Sequence, residues 1–486
     1  MNITMIVEMA ASAGDRTAVT ADGRSLTAAG LLRLARAAAD RFRRHPAVLY
    51  LAANHLAYPV ALFGAAVAGV PFVPLNYRLG GRQLDELRSR HPGALELRPD
   101  DLDPFLEETE AAASRNPSGP APVAEDDPDP VAVLLYTSGT TSAPKSAVLR
   151  HRHLLAYVLN TLEFGSAAEE DAALVAVPPY HVAGLANLLS NLYTGRRVVY
   201  MPSFGAREWL ETVRRERITH ALVVPTMLAR IVAEVPGDDA ATPTLRNLAY
   251  GGARTPMPVL ERALRIFPEA GFVNAYGLTE TASSIALLGP DDHREALAAT
   301  DPAVRARLAS VGRALPGVEF QIRSDDGEPV EAGRTGLVFA RGEQISGEYG
   351  GKSALDAEGW FATRDRGRLD ADGYLFIEGR ADDTIIRGGE NIAPAEIEDV
   401  LLAHPGITEA AVLGVPDPEW GQRLVAVVVG EGEPEEIRGW VRERLRSSKT
   451  PDDIVFRAEL PKTDTGKLLR RVLLAEMDTT LENTRA

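Results

Sequence analysis

Short apolar runs alternate with segments of helical periodicity through most of the first 310 residues, and this alternation restricts the possible folds more than any other feature of the chain. Residues Leu31, Leu34, Ala35, Ala38 and Phe42 recur at helical spacing, and residues 47–52 (AVLYLA) then read as a buried strand. The pattern predicts further strands over 131–136, 173–177, 198–201, 220–224, 245–250 and 271–275, with helices over 206–217, 226–235 and 256–266 between them. Strands that are apolar at nearly every position must be covered on both faces, which implies α/β layers with mostly parallel sheets. The stretch 116–130 (NPSGPAPVAEDDPDP) reads as an exposed connector, because the alternation continues on both sides of it. From about Val311 the texture changes to short strands with glycine turns (GVEFQIRSDDGEPV, TGLVFARG, GYLFIEGR), which predicts a β-rich subdomain. A polar cluster at 381–383 follows Arg380. The remainder reads as a small α+β unit with helices over 394–404 and 435–446 and strands over 410–415 and 424–429. We therefore expect a large domain over 1–380 and a smaller one over 381–486.

At 486 residues there is material for roughly two to four domains. The chain is 45% hydrophobic and 25% charged, which excludes a largely disordered protein. Its 52 basic and 68 acidic residues give a net charge of −16, which argues against a nucleic-acid or anionic-membrane binder but leaves a local anion pocket open. Cysteine is absent, so disulfides, thiolate nucleophiles and zinc–cysteine sites are excluded. The twenty uncharged residues 56–75 are interrupted by Pro59, Pro71 and Pro74 and read as a buried helix running into a short strand, not as a membrane span. The amino terminus lacks the pattern of a signal peptide, and a cytoplasmic location is expected. Only five of the 52 basic residues are lysines: Lys145, Lys352, Lys449, Lys462 and Lys467. In so arginine-biased a chain, a retained lysine marks a place where a compact, flexible ammonium is needed.

The strongest local signal is YTSGTTSAPK at 136–145, directly after the apolar run VAVLLY. Thr137, Ser138, Gly139, Thr140, Thr141 and Lys145 offer hydroxyl and backbone donors and one positive charge, which is what a polyphosphate needs. The spacing is not that of a Walker loop. Taken alone, a polar surface loop explains such a stretch equally well. In YGLTE (276–280) an aromatic ring able to stack on a base precedes a hydroxyl and a carboxylate, although a capped helix start would have the same composition. Asp365 lies between the arginines of TRDRG, and a surface Asp–Arg pair is the plain alternative for it.

YTSGTTSAPK resembles the phosphate loop of the acyl-adenylate-forming superfamily. PPYHVAGL (178–185), NAYGLTET (274–281), WFATRDRGRLDADGYLFIEGR (360–380), DDTIIRGGENIAPAEIE (382–398) and PKTDTGK (461–467) follow in that superfamily's order. The resemblance implies a large amino-terminal domain and a small mobile carboxy-terminal one. It implies that Tyr276 stacks on adenine, with Asn274 at the base edge and Gly251, Gly252, Ala253 and Gly277 along the nucleotide. It further implies that Thr279 contacts the α-phosphate, that Glu280 holds Mg²⁺, and that Asp365 and Arg380 meet the ribose. Lys467 would screen the approach of a carboxylate to the α-phosphate of ATP. His181 would line the junction between acid pocket and thiol tunnel. Asp382 would be the hinge that swings Gly388 and Gly389 to the pantetheine of CoA. Four positions depart from the usual pattern: Ser142 and Ser146 stand where glycines are common, Arg364 replaces the glycine of Thr-Gly-Asp, and Leu337 follows Gly336 where Gly-Glu is expected. A replacement at φ > 0 would carry strain.

The implied reaction is activation of a carboxylic acid by ATP with release of pyrophosphate, then transfer to CoA. Three readings stand beside it: adenylation with a carrier-protein acceptor or a non-carboxylate acid such as nitrite, a phosphotransferase, and a weakly active nucleotide-binding regulator. Where amino-acid-activating relatives place an aspartate after an aromatic residue, this chain has Phe204-Gly-Ala, and neutral residues 283–287 follow Glu280; both features favour an uncharged acyl or aryl acid. No oligomeric state follows from the sequence.

Overall fold

The computed structural model describes residues 1–116, 127–137, 145–387, 390–417, 419–463 and 466–485. Within them the alternating pattern forms a nine-stranded sheet. Six of its strands, Gly271–Leu278, Asn247–Gly251, His220–Val223, Ala172–Val175, Arg197–Tyr200 and Thr17–Ala21, run parallel in that spatial order. Antiparallel strands close both edges. A second sheet of seven strands holds Val48–Tyr50, Phe72–Pro74 and Leu95–Leu97 in parallel with Val131–Thr137, which then turns back as Lys145–Arg150. Half of the pairings in this sheet are antiparallel, so the expectation of mostly parallel sheets fits the first sheet better than the second.

The helix Ala57–Ala68 is buried along its whole length, which explains why it resembled a membrane span. Ala35, Ala38 and Phe42 of the amphipathic helix Ala28–Phe42 pack against Gly64, where an added methyl would sit 2.9 Å from the Phe42 ring. Among the described residues no helix is long and apolar enough to cross a membrane.

The glycine-punctuated region forms an antiparallel four-stranded sheet in the order Val318–Arg323, Gly336–Gly342, Phe361–Leu369, Leu375–Arg380. Beyond it, the long hairpin Ile407–Asp417/Gly421–Gly430 and the parallel strand Asp453–Arg457 form a three-stranded sheet. Helices Pro394–Leu402 and Pro434–Arg444 cover it around a separate core of Ile385, Ile397, Leu401, Val412, Ala426 and Ile437. Most of the 116–130 connector lies outside the described residues.

Candidate active site

The residues around Glu280 owe their arrangement to a tight, strained turn. Strand Gly271–Leu278 leads into the short 3₁₀ turn Thr279–Thr281 and returns as Ser283–Leu288. At Gly277 an added methyl would lie 1.9 Å from the Ser283 carbonyl oxygen, so only glycine fits where the two strands shift register. Ala282 (φ 55°) and Ser283 (φ 129°) follow in backbone regions that L-residues avoid. The Thr281 hydroxyl accepts the Leu278 N–H at 2.9 Å and can donate to the Ser283 carbonyl at 2.7 Å. The Glu280 carbonyl accepts the N–H groups of Ser346 and Gly347 at 2.9 and 3.2 Å. With the backbone fixed on both sides, the buried Glu280 carboxylate has one side-chain hydrogen-bond partner among the described residues, the Tyr349 hydroxyl, which donates to Oε1 at 2.6 Å. Burial, then the Glu280 charge, raises the Tyr349 pKa and keeps the phenol a donor.

Tyr349 also ties this carboxylate to the first motif. It pairs with Ala147 in strand Lys145–Arg150, and Arg150 grips the adjacent Glu348 through two bonds of 2.9 Å. The Lys145 ammonium lies 5.7 Å from the Tyr349 ring centre, and the Thr137 hydroxyl donates to the Lys145 carbonyl at 3.4 Å. Ser138, Gly139, Thr140, Thr141 and Ser142 lie outside the described residues. Ser146 sits in extended strand with no positive φ, so its replacement of a glycine is free of the strain considered above.

A second cluster centres on Asp365. Its Oδ2 accepts the Tyr276 hydroxyl at 2.6 Å and its Oδ1 accepts Arg380 at 3.0 Å, while Arg380 also donates to the Thr363 carbonyl at 2.8 Å. Burial first, then the Asp365 charge, pushes the Tyr276 phenol well up and holds it protonated. A carboxylate has about four lone-pair sites, so this one keeps room for two further hydroxyl donors. The backbone that presents it is a bulge. Leu337 faces Arg366 and Phe339 faces Ala362, so three residues, Thr363, Arg364 and Asp365, span the place of Val338. The Thr363 hydroxyl closes the bulge by donating to the Val338 carbonyl at 2.8 Å and accepting the Asp365 N–H at 3.1 Å. Arg364 sits at φ 62°, the left-handed conformation for which glycine is suited. The arginine therefore costs about 1–2 kcal/mol of backbone strain at this position.

The carboxy-terminal lysine reaches this cluster from a tight turn. Thr463 N–H donates to the Lys467 carbonyl and Gly466 N–H to the Thr463 carbonyl, both at 2.8 Å, and the Thr463 hydroxyl accepts the Lys467 N–H at 3.0 Å. Gly466 has φ 80°, and a methyl there would lie 2.3 Å from Thr226, so the turn abuts the start of helix Pro225–Glu234. Asp365, Arg380 and Asp383 all act electrostatically on the half-buried Lys467 ammonium. Burial and then Arg380 lower its pKa, while Asp365 and Asp383 oppose the shift. Arg470 pairs with Asp383 at 3.5 Å and also with Glu398, and Arg254 pairs with Asp399. Asp382 is exposed in the 3₁₀ turn Ala381–Asp383; Gly388 and Gly389 lie outside the described residues.

The remaining candidates surround the two clusters. Asn274 donates to the Ser310 carbonyl at 3.0 Å from strand Gly271–Leu278, where it pairs with Tyr250, one residue before Gly251 at the end of the neighbour strand. Gly252 and Ala253 continue into the turn beyond. His181 caps the start of helix Val182–Thr194, with its ring 4.7 Å from Tyr180, which in turn meets Tyr77 at 5.7 Å. Tyr349 was missed by the sequence reading; the only signal was an aromatic residue enclosed by Gly347 and Gly350.

Thus a carboxylate held by a tyrosine whose ring a lysine approaches, a second carboxylate with spare acceptor sites, and an ammonium from the far end of the chain share one region. A protein-family model described as AMP-binding enzyme matches residues 7–349, and a second, described as AMP-binding enzyme C-terminal domain, matches 396–467. The chain is 36% identical over 476 residues to feruloyl-CoA synthase from Amycolatopsis sp, covering 93% of this chain and 94% of the relative. It is 33% identical to a fatty acid–[acyl-carrier-protein] ligase from Streptomyces coeruleorubidus, covering 88% and 86%. The solved structure of o-succinylbenzoate coenzyme A synthetase from Bacillus subtilis, in complex with ATP and magnesium ion, superposes with a TM-score of 0.79 at 28% identity, covering 96% of this chain and 98% of the other. The chain belongs to the AMP-binding enzyme family.

Proposed function

We infer that this chain is an AMP-forming acid–thiol ligase that activates an uncharged acyl or aryl carboxylic acid with ATP and passes the acyl group to CoA. In the first half-reaction a carboxylate oxygen attacks the α-phosphorus, forming the acyl–AMP anhydride and expelling pyrophosphate. In the second, the CoA sulfur attacks the acyl carbon and AMP leaves. The observation that carries the reading is the convergence of Lys467 with Asp365 and Arg380. Two anions must meet in the first step, and a positive charge fixed between them stabilises the transition state more than the separated reactants.

In this reading Asp365 accepts the two ribose hydroxyls with its unused lone pairs, Arg380 holds that carboxylate, and Tyr276, anchored through its hydroxyl, offers its ring to adenine. Thr279, Thr137, Lys145 and residues 138–141 take the phosphates. Glu280 offers a single oxygen-ligand group, and among the described residues no group of three or more His, Cys, Asp or Glu forms a cage. That donor set fits Mg²⁺, a cation that retains water and phosphate ligands. When bound, it would neutralise charge on the polyphosphate. His181 would border the acid and thiol channels. The domain boundary after Arg380, with Asp382 as hinge, would let the smaller unit withdraw Lys467 and present Gly388-Gly389 to pantetheine. ATP and CoA as substrates support a cytoplasmic location.

A second reading, with a carrier protein as thiol acceptor, is favoured by the similarity to the acyl-carrier-protein ligase. A panel of carboxylic acids, aryl acids first, assayed for acid-dependent pyrophosphate–ATP exchange and then for thioester with CoA or a phosphopantetheinylated carrier protein, tests both. The expected products are AMP, pyrophosphate and acyl-CoA. ADP would contradict adenylation, and thioester on the carrier protein alone would assign the second reading.

A further inference from the structure

We propose that Arg364 is an added polyphosphate contact, whose guanidinium binds the β- and γ-phosphates of ATP and the pyrophosphate that leaves. The proposal rests on the adenylation reading. Arg364 occupies the left-handed position of the bulge, φ 62°, where glycine would sit without strain. Strained non-glycine residues persist where another interaction depends on them. The side chain is exposed between two buried neighbours, Thr363 and Asp365. Its charge, like that of Arg380, acts on the Tyr349 phenol, whose hydroxyl donates to Glu280 at 2.6 Å and whose ring centre lies 5.7 Å from the Lys145 ammonium. The bulge thus sets an exposed guanidinium one residue before the carboxylate assigned to the ribose, within electrostatic reach of the tyrosine that holds Glu280.

The nearby arginines give the contrast. Arg366 pairs with Asp325 at 2.6 Å, Arg368 with Glu378 at 3.6 Å and Arg380 with Asp365 at 3.0 Å. Among the described residues Arg364 has no carboxylate partner. A guanidinium left without a carboxylate partner in this way presents a planar fork that matches two phosphate oxygens.

The test compares wild type, Arg364→Gly and Arg364→Lys in acid-dependent pyrophosphate–ATP exchange, measuring KM for Mg·ATP, KM for the acid, the inhibition constant of pyrophosphate, and Tm. For Arg364→Gly, both the ATP and the pyrophosphate constants should rise about tenfold and the acid KM should stay within twofold. Tm should not fall, because glycine relieves the bulge. Arg364→Lys should recover part of the loss. ATP and pyrophosphate constants within twofold of wild type would overturn the proposal. So would a rise in acid KM alone, which would assign the guanidinium to an anionic group of the acid. Absence of exchange in wild type would instead contradict the underlying adenylation reading, which keeps the two failures distinct.

Discussion

At the scale of single residues, the Glu280–Tyr349 contact makes the most specific claim. The carboxylate has its backbone fixed by Ser346 and Gly347 and its Oε1 held by one phenol. A hydrogen bond to a charged group contributes about 1.5–3 kcal/mol, and its loss would free the carboxylate to turn away from a metal-bound nucleotide. Tyr349→Phe should therefore lower kcat/KM for Mg·ATP by about tenfold or more with little change in KM for the acid, as steady-state kinetics would reveal. An unchanged kcat/KM would show that Glu280 needs no such partner. The ordered motifs made Glu280 legible in the sequence, but Tyr349 was not. Its role depends on strand Glu348–Tyr349 meeting Ala147 from a segment two hundred residues earlier, and no local pattern encodes that pairing. The three lost glycines divide for a related reason. Ser146 lies in extended strand and Arg364 in the left-handed region, a difference of backbone dihedral that residue identity alone does not disclose.

Among the elements, the turn that carries Lys467 is the one most exposed to disruption. Gly466 is required twice over, by its φ of 80° and by a clearance of 2.3 Å to Thr226 that excludes a methyl. Gly466→Ala should displace the turn from helix Pro225–Glu234 and slow adenylation at least tenfold. Thioester formation from supplied acyl-adenylate should stay close to wild type, because in the proposed function that step does not use Lys467. Single-turnover assays of each half-reaction would separate the two. An equal fall in both would indicate general damage, not loss of this docking. The regular elements around the turn were largely readable, since short all-apolar runs and helical periodicity marked the strands and helices to within a few residues. The antiparallel half of the second sheet was not readable, because composition said nothing of strand direction.

At the scale of the whole molecule, the proposed function has a chain of net charge −16 gather Lys145, Arg364, Arg380 and Lys467 around two carboxylates. Three of these cations come from the larger, amino-terminal part. The fourth comes from the segment matched by the second family model, which brings its own core and meets the first through Gly466–Thr226 and Arg254–Asp399. In the proposed function that division of labour would let one site serve two steps, since moving the smaller unit would remove the ammonium after pyrophosphate has left. The most direct measurement is acid-dependent pyrophosphate–ATP exchange by Lys467→Ala, beside thioester formation by the same variant from synthetic acyl-adenylate and CoA. Exchange should fall about 10²–10³-fold, the scale for losing one preorganised electrostatic group, while thioester formation and Tm remain near wild type. Exchange at the wild-type rate would contradict the account.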